Sequence, residues 1–593
     1  MAAARMMRNG WGAGRAAARP RGGRDPRLVV VAGVFVLLWA VVVVRLWIVQ
    51  VRDHEWYTGL AAGQHEVFRQ LTAERGEIFV HDRQASDGYF PVATNQRTYT
   101  VYAVPTEIAQ PKRAAGLLAP LLQLDEAAEV ALAERLSKPN DPYEPVTRDA
   151  SAELRDSVLA LALPGIHTQP TIARFYPDGT RMAHLTGFVG ADEDSRIAGR
   201  YGVEGAFEDV LAGTSGFLEG ERDAAGRLIV FGKRDGRQAE HGSDVYLTIE
   251  RELQLEVCRR LEDAVTKHGA ASGSIVILHP VTGAVRAMCA VPAFDPNRYG
   301  DVEDIGVYQT PAVSDAYEPG SVFKAVTMAA AIEADAVGPN TEFTDTGSVT
   351  LNNHTITNSL HKVYGRSTMT DVLRFSINTG TVYAAMQLGR DRFREAIERF
   401  GFGARTGIAL DAESPGNIAN LVQRGDIYLA TASFGQGITA TQLQLAVAYA
   451  AIANGGNLME PRIVEAVVAP DGTRKTFAPR IVHRAVSQRA AVILQGMLVS
   501  VVRDGYAKSA GVRGYLIGGK TGTAQIPYRD RPGYSDDTIH TFVGIGPVDR
   551  PTFSMVVRID RAQRLFADST AAPLFGDLAA YIVQYDGVPP RVE

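Results

Sequence analysis

The sequence predicts an α+β fold in several domains, with an antiparallel sheet flanked by helices in the C-terminal part and one N-terminal transmembrane helix. Three observations lead to this prediction. An uncharged apolar run lies near the N-terminus, from Leu28 to Val44. The segment after it mixes short strand-like and helix-like pieces, punctuated by Gly, Asp and Pro. From about Val245 onward, a strand, a helix, a hairpin and a long helical section succeed one another.

The apolar run is predicted to be a membrane anchor. Residues 1–27 contain seven arginines and one acid, which places the N-terminus in the cytoplasm by the positive-inside rule. The run spans roughly 26 Å as a helix, slightly less than the ~30 Å hydrocarbon core, so the anchor is extended to residues 28–50 with Trp47 at the interface. A cleaved signal peptide is the alternative, but its apolar region is only about 7–15 residues long. We expect a single-pass protein of the cytoplasmic membrane, with its catalytic domain outside the cytoplasm.

The exported body is predicted to have two parts. Residues 51–240 form an α+β region, and its Ala-, Leu- and Glu-rich stretch at about 107–163 predicts an inserted helical subdomain. A Gly-rich, charged stretch separates this region from a second domain, residues 241–593. There, Thr282 and Gly283 predict a hairpin turn between two apolar strands. The preceding helix has an apolar face composed of Leu253, Val257, Leu261 and Val265.

Composition excludes several classes of function. A net charge of −5 gives no basic surface for nucleic acid. The 12 histidines form no H-E-x-x-H motif, and neither a metal nor a cofactor is expected. Cys258 and Cys289 form no C-x-x-C motif. They could be buried free thiols or pair as a disulfide, and the sequence leaves this open.

The stretch "YEPGSVFKAV" predicts a nucleophile and its base. Pro319 and Gly320 break the chain, so Ser321 falls at the start of an apolar helix, where unpaired backbone N–H groups favour an oxyanion. The i,i+3 spacing places Lys324 on the same face, and burial or a nearby cation could lower its pKa enough for it to act as a base. The alternative is that Ser321 is only an N-cap.

Two further motifs occur after this helix. In "FSINTG", Ser376 and Asn378 alternate so that both can point into one cleft from a loop between helices. In "IGGKTGTAQ", Lys520, Thr521 and Gly522 lie on a predicted strand whose glycines allow another backbone to approach. Each motif alone could be an ordinary turn, but the three in this order are unlikely to arise by chance.

The order S-x-x-K, S-x-N, K-T-G resembles penicillin-binding proteins and serine β-lactamases. The segments "RGEIFVHDR", "YGVEGAFEDVLAGTSG", "VTGAVRAMCAVPAFDPN" and "FGQGITATQLQLAVAYAAIANGG" are similar to class B, monofunctional penicillin-binding proteins. The resemblance implies a penicilloyl-serine transferase domain on an elongated α+β pedestal, or dimerisation-like domain. It implies D,D-transpeptidation of peptidoglycan stem peptides through a serine acyl-enzyme, with β-lactams as inhibitors.

The same resemblance implies roles for the motif residues. Ser321 would attack the penultimate D-Ala carbonyl and Lys324 would take the hydroxyl proton. Ser376 and Lys520 would relay a proton to the leaving amine, and Asn378 would hold Lys324 and the substrate amide. Thr521, Gly522 and Thr523 would bind the substrate, the two threonines holding its terminal carboxylate. Backbone N–H groups of Ser321 and Thr523 would form the oxyanion hole.

Several functions fit the three motifs. The asparagine of "SINTG" favours a division (septal) enzyme over an elongation enzyme. A D,D-carboxypeptidase would differ only in using water as acceptor, a β-lactamase or sensor lacks such a pedestal, and a scaffold of the division machinery with lost activity is the alternative outside enzymes. The implied protein partners are a membrane glycosyltransferase polymerase and division proteins. The sequence departs from the family pattern at "GQG", which lacks the usual aromatic, and at Glu250, where aspartate is usual.

Overall fold

The computed structural model describes residues 26–48, 52, 66–191, 197–221, 234–351, 353–528, 531, 533–564 and 566–591. The predicted cytoplasmic tail lies outside these residues except for its last two positions. The chain divides into two compact units, one formed by Met1–Leu71 with Gly216–Gln238 and the other by Thr72–Ser215 with Ala239–Glu593.

The first unit contains helix α1 and a three-stranded antiparallel sheet in the order β1-β8-β9. Helix α1 (Pro26–Trp47) covers the apolar run of the sequence. Among the described residues, no helix is both long enough and apolar enough to span a bilayer. The transmembrane anchor therefore stays a prediction. The strands of this unit are β1 (Glu66–Leu71), β8 (Gly216–Glu221) and β9 (Arg234–Arg237).

The second unit has a mixed α+β fold built on two main sheets, as predicted in coarse terms. One has seven strands, with the order β19-β18-β10-β2-β3-β4 and β5 paired to β3. The sheet combines strands that precede residue 240 in the sequence with strands that follow it. Strand β10 pairs with the earlier strand β2 in parallel and with the later strand β18 in antiparallel orientation. The strands are β2 (Ile78–His81), β3 (Tyr89–Ala103), β4 (Glu144–Ala150), β5 (Ile166–Phe175), β10 (Asp244–Glu250), β18 (Val464–Val468) and β19 (Arg474–Thr476).

The central sheet has five strands in the order β12-β11-β23-β22-β21. Every neighbouring pair is antiparallel, which confirms the predicted sheet type, and Gly283 has φ 67° in the β11–β12 turn. Strand β21 lies at one edge and is paired on one side with β22. The strands are β11 (Ser272–Leu278), β12 (Val285–Val291), β21 (Gly518–Pro527), β22 (Tyr534–Gly546) and β23 (Phe553–Asp560).

The described residues also form four two-stranded sheets. They are β6 (Phe188–Ala191) with β7 (Ile197–Arg200), β13 (Glu342–Asp345) with β16 (Gly365–Thr368), β14 (Ser348–Leu351) with β15 (His354–Thr357), and β17 (Asn457–Met459) with β20 (Ile481–Arg484).

Helices cover the sheets and fall into two groups. Helices α2 to α4 lie within the predicted helical insertion and pack a small core of their own around Leu118, Leu132 and Val158. The others build the large core of the second unit. The helices are α2 (Pro111–Leu122), α3 (Glu126–Arg135), α4 (Ala152–Ala160), α5 (Ala183–Thr186), α6 (Gly202–Ala206), α7 (Glu208–Leu211), α8 (Arg251–Lys267), α9 (Pro311–Ser314), α10 (Lys324–Glu333), α11 (Met369–Arg374), α12 (Asn378–Leu388), α13 (Arg390–Arg399), α14 (Asp426–Ser433), α15 (Gln442–Ala453), α16 (Gln488–Asp504) and α17 (Ala571–Tyr585).

Helix α8 shows how the sequence pattern becomes packing. The four residues of its predicted apolar face are all buried. Cys258 on the same helix forms a disulfide with Cys289 on β12. The pairing that the sequence left open is therefore present, and it ties the helix to an edge strand of the central sheet.

Candidate active site

Ser321 lies in a tight turn that leads directly into a buried helix. Residues Gly320–Phe323 form a 3₁₀ turn, and α10 begins at Lys324. The helix is alanine-rich and buried from Lys324 to Ile332, so the turn is held against the core. The predicted position of Ser321 at a helix start is confirmed, with one 3₁₀ turn inserted before the α-helix.

The Lys324 side chain is fully buried, with 0% of its surface exposed. Its Nζ donates to the backbone oxygen of Ser376 at 2.7 Å and to Asn378 Oδ1 at 2.7 Å, and lies 3.1 Å from Ser376 Oγ. Within the described part of the chain, the Lys324 amine thus bonds to the second motif rather than to the Ser321 hydroxyl. The amine connects the nucleophile helix to the Ser376 loop.

The second motif occupies the loop between α11 and α12, as predicted. Ser376 has φ 57°, a left-handed conformation that is uncommon outside glycine. Asn378 is the first residue of α12, and its Nδ2 donates to the Thr357 backbone oxygen at 2.8 Å. This second bond fixes which side-chain atom of Asn378 faces Lys324, because the nitrogen is used elsewhere.

The third motif lies on the edge strand β21, again as predicted. Lys520 is 1% exposed, and its Nζ donates to Ser376 Oγ at 3.0 Å and to the Thr521 backbone oxygen at 3.0 Å. Thr523 Oγ1 accepts a hydrogen bond from the backbone nitrogen of Ala567 at 3.2 Å. The hydroxyl of Ser376 therefore lies between two lysine amines that come from distant parts of the sequence.

Two glycines allow backbones to meet at the nucleophile turn. A Cβ at Gly522 would lie 3.0 Å from the Pro319 oxygen and 3.0 Å from Val322 Cγ1. The backbone that packs against Gly522 is therefore that of the protein's own Ser321 turn, in addition to the backbone of any bound peptide. Gly435, with φ 80°, would place a Cβ 2.3 Å from the Gly320 oxygen, and the Gly320 nitrogen donates to the Gly435 oxygen at 3.0 Å. A larger residue at either position would displace Ser321.

Burial sets the charge states of the two lysines. Burial, and then the positive charge of Lys520, hold the pKa of Lys324 well below its usual value. Burial alone lowers the pKa of Lys520 to about 7. The lowered pKa of Lys324 favours its neutral form. A neutral amine has two N–H donors and one lone pair: the carbonyl oxygens of Ser376 and Asn378 take the donors, which leaves the lone pair for a hydroxyl.

The site opens into a cleft of about 270 Å³. Its polar lining includes Ser321, Ser376, Thr521 and Thr523 together with Ser359, Lys362 and Asp568, and its apolar and aromatic lining includes Leu360, Tyr364, Phe375, Tyr506 and Phe566. Four of the eight predicted site residues thus line one cleft: Ser321, Ser376, Thr521 and Thr523. Lys324 and Lys520 are hydrogen-bonded to Ser376, Asn378 is hydrogen-bonded to Lys324, and Gly522 lies between the two threonines. Within the described residues, no group of three or more acidic, histidine or cysteine side chains is arranged to hold a metal ion.

Comparison with known families agrees with this geometry. Residues 273–580 match the penicillin-binding protein transpeptidase domain, and residues 70–247 match the penicillin-binding protein dimerisation domain.

The chain belongs to the penicillin-binding protein transpeptidase family.

Relatives and solved structures extend the match to almost the whole chain. Stage V sporulation protein D of Bacillus subtilis is 31% identical over 94% of this chain and 86% of its own length. Peptidoglycan D,D-transpeptidase FtsI of Escherichia coli is 31% identical over 75% of this chain and 73% of its own. The crystal structure of penicillin-binding protein 3 of Mycobacterium tuberculosis with ampicillin matches with TM-score 0.67 at 29% identity, covering 88% of this chain and 98% of that one. The resemblance stated from the motifs is confirmed.

Sequence reasoning missed a buried carboxylate that supports the second motif of this penicillin-binding protein. Asp345 accepts hydrogen bonds from Thr379 Oγ1 at 2.6 Å, from the Tyr364 nitrogen at 2.7 Å and from Asn358 Nδ2 at 2.9 Å. Burial raises its pKa, but these bonds outweigh burial and hold the pKa below its usual value. Since Thr379 follows Asn378, the carboxylate fixes the start of α12. The signal in the sequence was weak, because Asp345 lies in an ordinary-looking "TDTGS" turn.

A second missed contact ties the nucleophile turn to two neighbouring loops. Glu318 accepts from the Gly437 nitrogen at 2.9 Å and from the Tyr534 hydroxyl at 3.1 Å. Burial raises the pKa of Glu318, and the two hydrogen bonds oppose this. The "GQG" departure from the family pattern falls in one of these loops, where Gly435 and Gly437 both have positive φ.

Proposed function

We propose that the protein cross-links peptidoglycan by D,D-transpeptidation through an acyl-enzyme on Ser321, and that it does so during septal wall synthesis. The observation that supports this most is the buried Lys324 amine, its pKa held well below the usual value, which Ser376 and Asn378 hold one helical turn from Ser321. Membership of the transpeptidase family gives the reaction class. The Escherichia coli relative is named for the same activity.

In the first half-reaction, Ser321 Oγ attacks the penultimate D-Ala carbonyl carbon of a donor stem. The hydroxyl proton passes to the Lys324 lone pair as the C–O bond forms. Ser376, bonded to both lysines, passes a proton to the nitrogen of the terminal D-Ala as the C–N bond breaks. Free D-Ala leaves and an ester remains on Ser321.

The edge strand β21 binds the substrate. The Lys520 ammonium, with the hydroxyls of Thr521 and Thr523, binds the terminal carboxylate of the donor stem. Backbone N–H groups of Ser321 and Thr523 stabilise the oxyanion, an effect typically of ~3 to 4 kcal/mol per donor. In the second half-reaction, the amine of a neighbouring stem attacks the ester, and its proton returns through Lys324 to Ser321.

The position in the cell follows from the sequence. A basic tail and an apolar run support a single-pass anchor in the cytoplasmic membrane, with the catalytic unit outside the cytoplasm. Its polymerised substrate then comes from a membrane glycosyltransferase, and division proteins position the pair. The domain limits of tail, anchor, pedestal and transpeptidase remain part of this proposal.

Covalent labelling tests the proposal. Purified full-length protein is incubated with a fluorescent penicillin, and the labelled peptide is mapped. We expect one adduct, on Ser321, and its loss in Ser321→Ala. Labelling at another residue, or full labelling of Ser321→Ala, would overturn the assignment.

A second assay separates transpeptidation from D,D-carboxypeptidation. A donor thioester or stem peptide is supplied with and without a D-amino acid as acceptor. We expect the aminolysis product to exceed the hydrolysis product. Hydrolysis alone, at saturating acceptor, would favour the carboxypeptidase.

A further inference from the structure

A short segment, residues 566–570, lies against the edge of the central sheet beside the active-site cleft. It contains a 3₁₀ turn, Ala567–Ser569, and ends at Thr570, the residue before helix α17. Its residues 566–568 line the cleft, and the turn contacts both β21 and β22. None of the three motifs includes this segment, so the proposed reaction gives its residues no role.

The segment contacts β21 through the hydroxyl of Thr523. The buried Ala567 donates its backbone N–H to Thr523 Oγ1 at 3.2 Å. An N–H donor on this oxygen directs the hydroxyl's own proton away from the segment. Because Thr523 also lines the cleft, that proton is available to a hydrogen-bond acceptor bound there.

The segment contacts β22 through the imidazole of His540. Its Nδ1 lies 2.8 Å from Thr570 Oγ1 and its Nε2 lies 3.0 Å from Thr538 Oγ1. His540 and Thr570 are both 0% exposed. A neutral imidazole has one donor and one acceptor nitrogen, and a hydroxyl can match either of them. Both ring nitrogens of His540 are therefore bonded, and one of the two bonds holds the end of the segment.

The two contacts of the segment lie on directly opposite residues of the sheet. In the antiparallel pairing of β21 with β22, Thr523 is opposite His540. Side chains of opposite residues project from the same face of a sheet, and so does the side chain two residues along the strand, here Thr538. The segment therefore crosses this face, with Ala567 over the edge strand and Thr570 over the strand behind it.

The hydroxyl of Thr570 is used for this contact rather than for its own helix. Thr570 occupies the N-cap position of α17, where a threonine hydroxyl ordinarily accepts a hydrogen bond from the first helical turn. Within the described part of the chain, its side chain makes no such cap bond. A local bond is replaced by one to a residue 30 positions away in the sequence, which indicates a role in placing the segment.

We propose that His540 and Thr570 are positioning residues for recognition of the substrate's terminal carboxylate. By holding the segment on β22, they keep the Ala567 N–H on Thr523 Oγ1, so that the Thr523 hydroxyl donates into the cleft. Both residues are fully buried and act through Thr523 rather than by touching the substrate. The inference rests on the proposed function, because it requires the carboxylate of a stem peptide or a β-lactam at Thr523.

Two penicillins that differ only at the carboxylate test this role in the purified full-length protein. The second-order rate constant of acylation is measured for benzylpenicillin and for its methyl ester, and the ratio of the two constants reports recognition of the carboxylate. Thr570→Val removes a hydroxyl and keeps the shape of the side chain. We expect its ratio to be at least threefold below the wild-type ratio, and that of Thr523→Val to be lower still.

Ser554→Ala is the matched control for the loss of a buried hydroxyl. Ser554 lies on β23, and its hydroxyl donates to the Ala446 oxygen at 2.8 Å. Its ratio should stay within twofold of the wild-type value even if the protein is less stable. An unchanged ratio in Thr570→Val, or an equal fall in Ser554→Ala, would overturn the inference.

Two substitutions of His540 separate its two bonds. An asparagine amide reaches about as far as Nδ1, so His540→Asn can keep the bond to Thr570. A glutamine amide reaches about as far as Nε2, so His540→Gln can keep only the bond to Thr538. We expect the ratio to fall at least threefold in His540→Gln and to stay within twofold of wild type in His540→Asn. The reverse order would contradict the proposed path through Thr570.

Hydrogen exchange of the Ala567 amide gives a readout that needs no acylation. It is measured by mass spectrometry on peptides that cover residues 566–570. We expect severalfold faster exchange in Thr570→Val and Thr523→Val than in the wild type and in Ser554→Ala, and wild-type exchange in Thr570→Val would refute the inference. If neither penicillin forms an adduct, the proposed function has failed and exchange still tests the contact. Adducts with an unchanged ratio would refute the inference alone.

Discussion

The amine of Lys324 lies 2.7 Å from the side-chain oxygen of Asn378. This contact joins α10 to the start of α12, and it holds the buried amine of the proposed base in one orientation. Since Asn378 is itself held by the Thr357 backbone, the lone pair of a neutral Lys324 has a defined direction. Catalysis then depends on a network rather than on a single pair of residues.

Removing the base should remove acylation. In Lys324→Met, we expect the rate constant for acylation by a penicillin to fall by about 10²–10⁴-fold, the usual contribution of a positioned base. Lys324→Arg should fall as far, because a guanidinium keeps its proton. Stopped-flow labelling gives the rate, and the denaturation midpoint shows that each variant is folded. A Lys324→Arg variant that acylates at the wild-type rate would show that Lys324 is not the base.

Acylation by a carboxylate-bearing β-lactam should decline as pH rises above about 7. Burial lowers the pKa of Lys520 to about 7, so its positive charge is present below this pH and is lost above it. The pKa of Lys324 is also held well below its usual value, which favours its neutral form. In Lys520→Arg the alkaline decline should disappear, since arginine stays charged. A wild-type profile that is flat from pH 6 to 9 would contradict this role.

A methyl group at Gly522 should separate the edge strand from the nucleophile turn. Its Cβ would lie 3.0 Å from the Pro319 oxygen, so we expect Gly522→Ala to lose about 1–3 kcal/mol of unfolding free energy and most of its acylation rate. Gly496→Ala is the matched control: it lies in helix α16 with nothing within 4 Å and should be neutral or stabilising by up to about 1 kcal/mol. Equal effects of the two substitutions would refute the close-approach argument.

Replacing Asp345 should destabilise the second motif, because the Asp345 carboxylate holds the start of α12. In Asp345→Asn, the NH₂ group must face a backbone donor in either orientation, the Tyr364 N–H or the Gly347 N–H, and we expect a loss of about 2–4 kcal/mol of unfolding free energy. Acylation should slow with it, because α12 carries Asn378. Thr379→Val removes a single bond and should cost about 1 kcal/mol. Chemical denaturation and penicillin labelling measure both, and an Asp345→Asn protein of wild-type stability would contradict the assignment.

Acid should destabilise the protein through His184. Burial lowers the pKa of His184 to about 4, and its Nε2 bonds to the Val307 oxygen at 3.0 Å. An unfolded histidine binds a proton below about pH 6.5, so stability is complete above 6.5 and falls as pH drops towards 4, by about 3 kcal/mol. His184→Gln keeps a donor but cannot titrate, and its denaturation midpoint should fall less over this interval. Parallel curves for both proteins would exclude His184 as the cause.

The elements that carry the first and third motifs could be predicted because local sequence marks them. Pro319 and Gly320 mark the turn before Ser321, and the glycines and apolar residues that flank Lys520 mark a strand. Local pattern also gave the hairpin at Gly283 and the buried face of α8. These features depend on residues that are close together in the sequence, so a local sequence pattern is enough to predict them.

The supporting contacts could not be predicted because they join distant segments. The bond between Glu318 and Tyr534 and the approach of Gly435 to Gly320 depend on how separate loops fold together. The left-handed conformation of Ser376 has no local signal either, since serine has no preference for it. The pairing of Cys258 with Cys289 was undecidable for the same reason.

Strand β21 ends the central sheet with one side unpaired by any other strand of that sheet. An extended peptide that pairs with this edge would form a sixth strand of the sheet, which binds and is released once per turnover. An exposed sheet edge ordinarily favours aggregation. Here the turn that contains Ser321 packs against Gly522 on β21 and restricts the access of other chains to this edge. The unpaired edge of β21, which exposes the fold to aggregation, is thus also the edge that can form backbone hydrogen bonds with a substrate peptide.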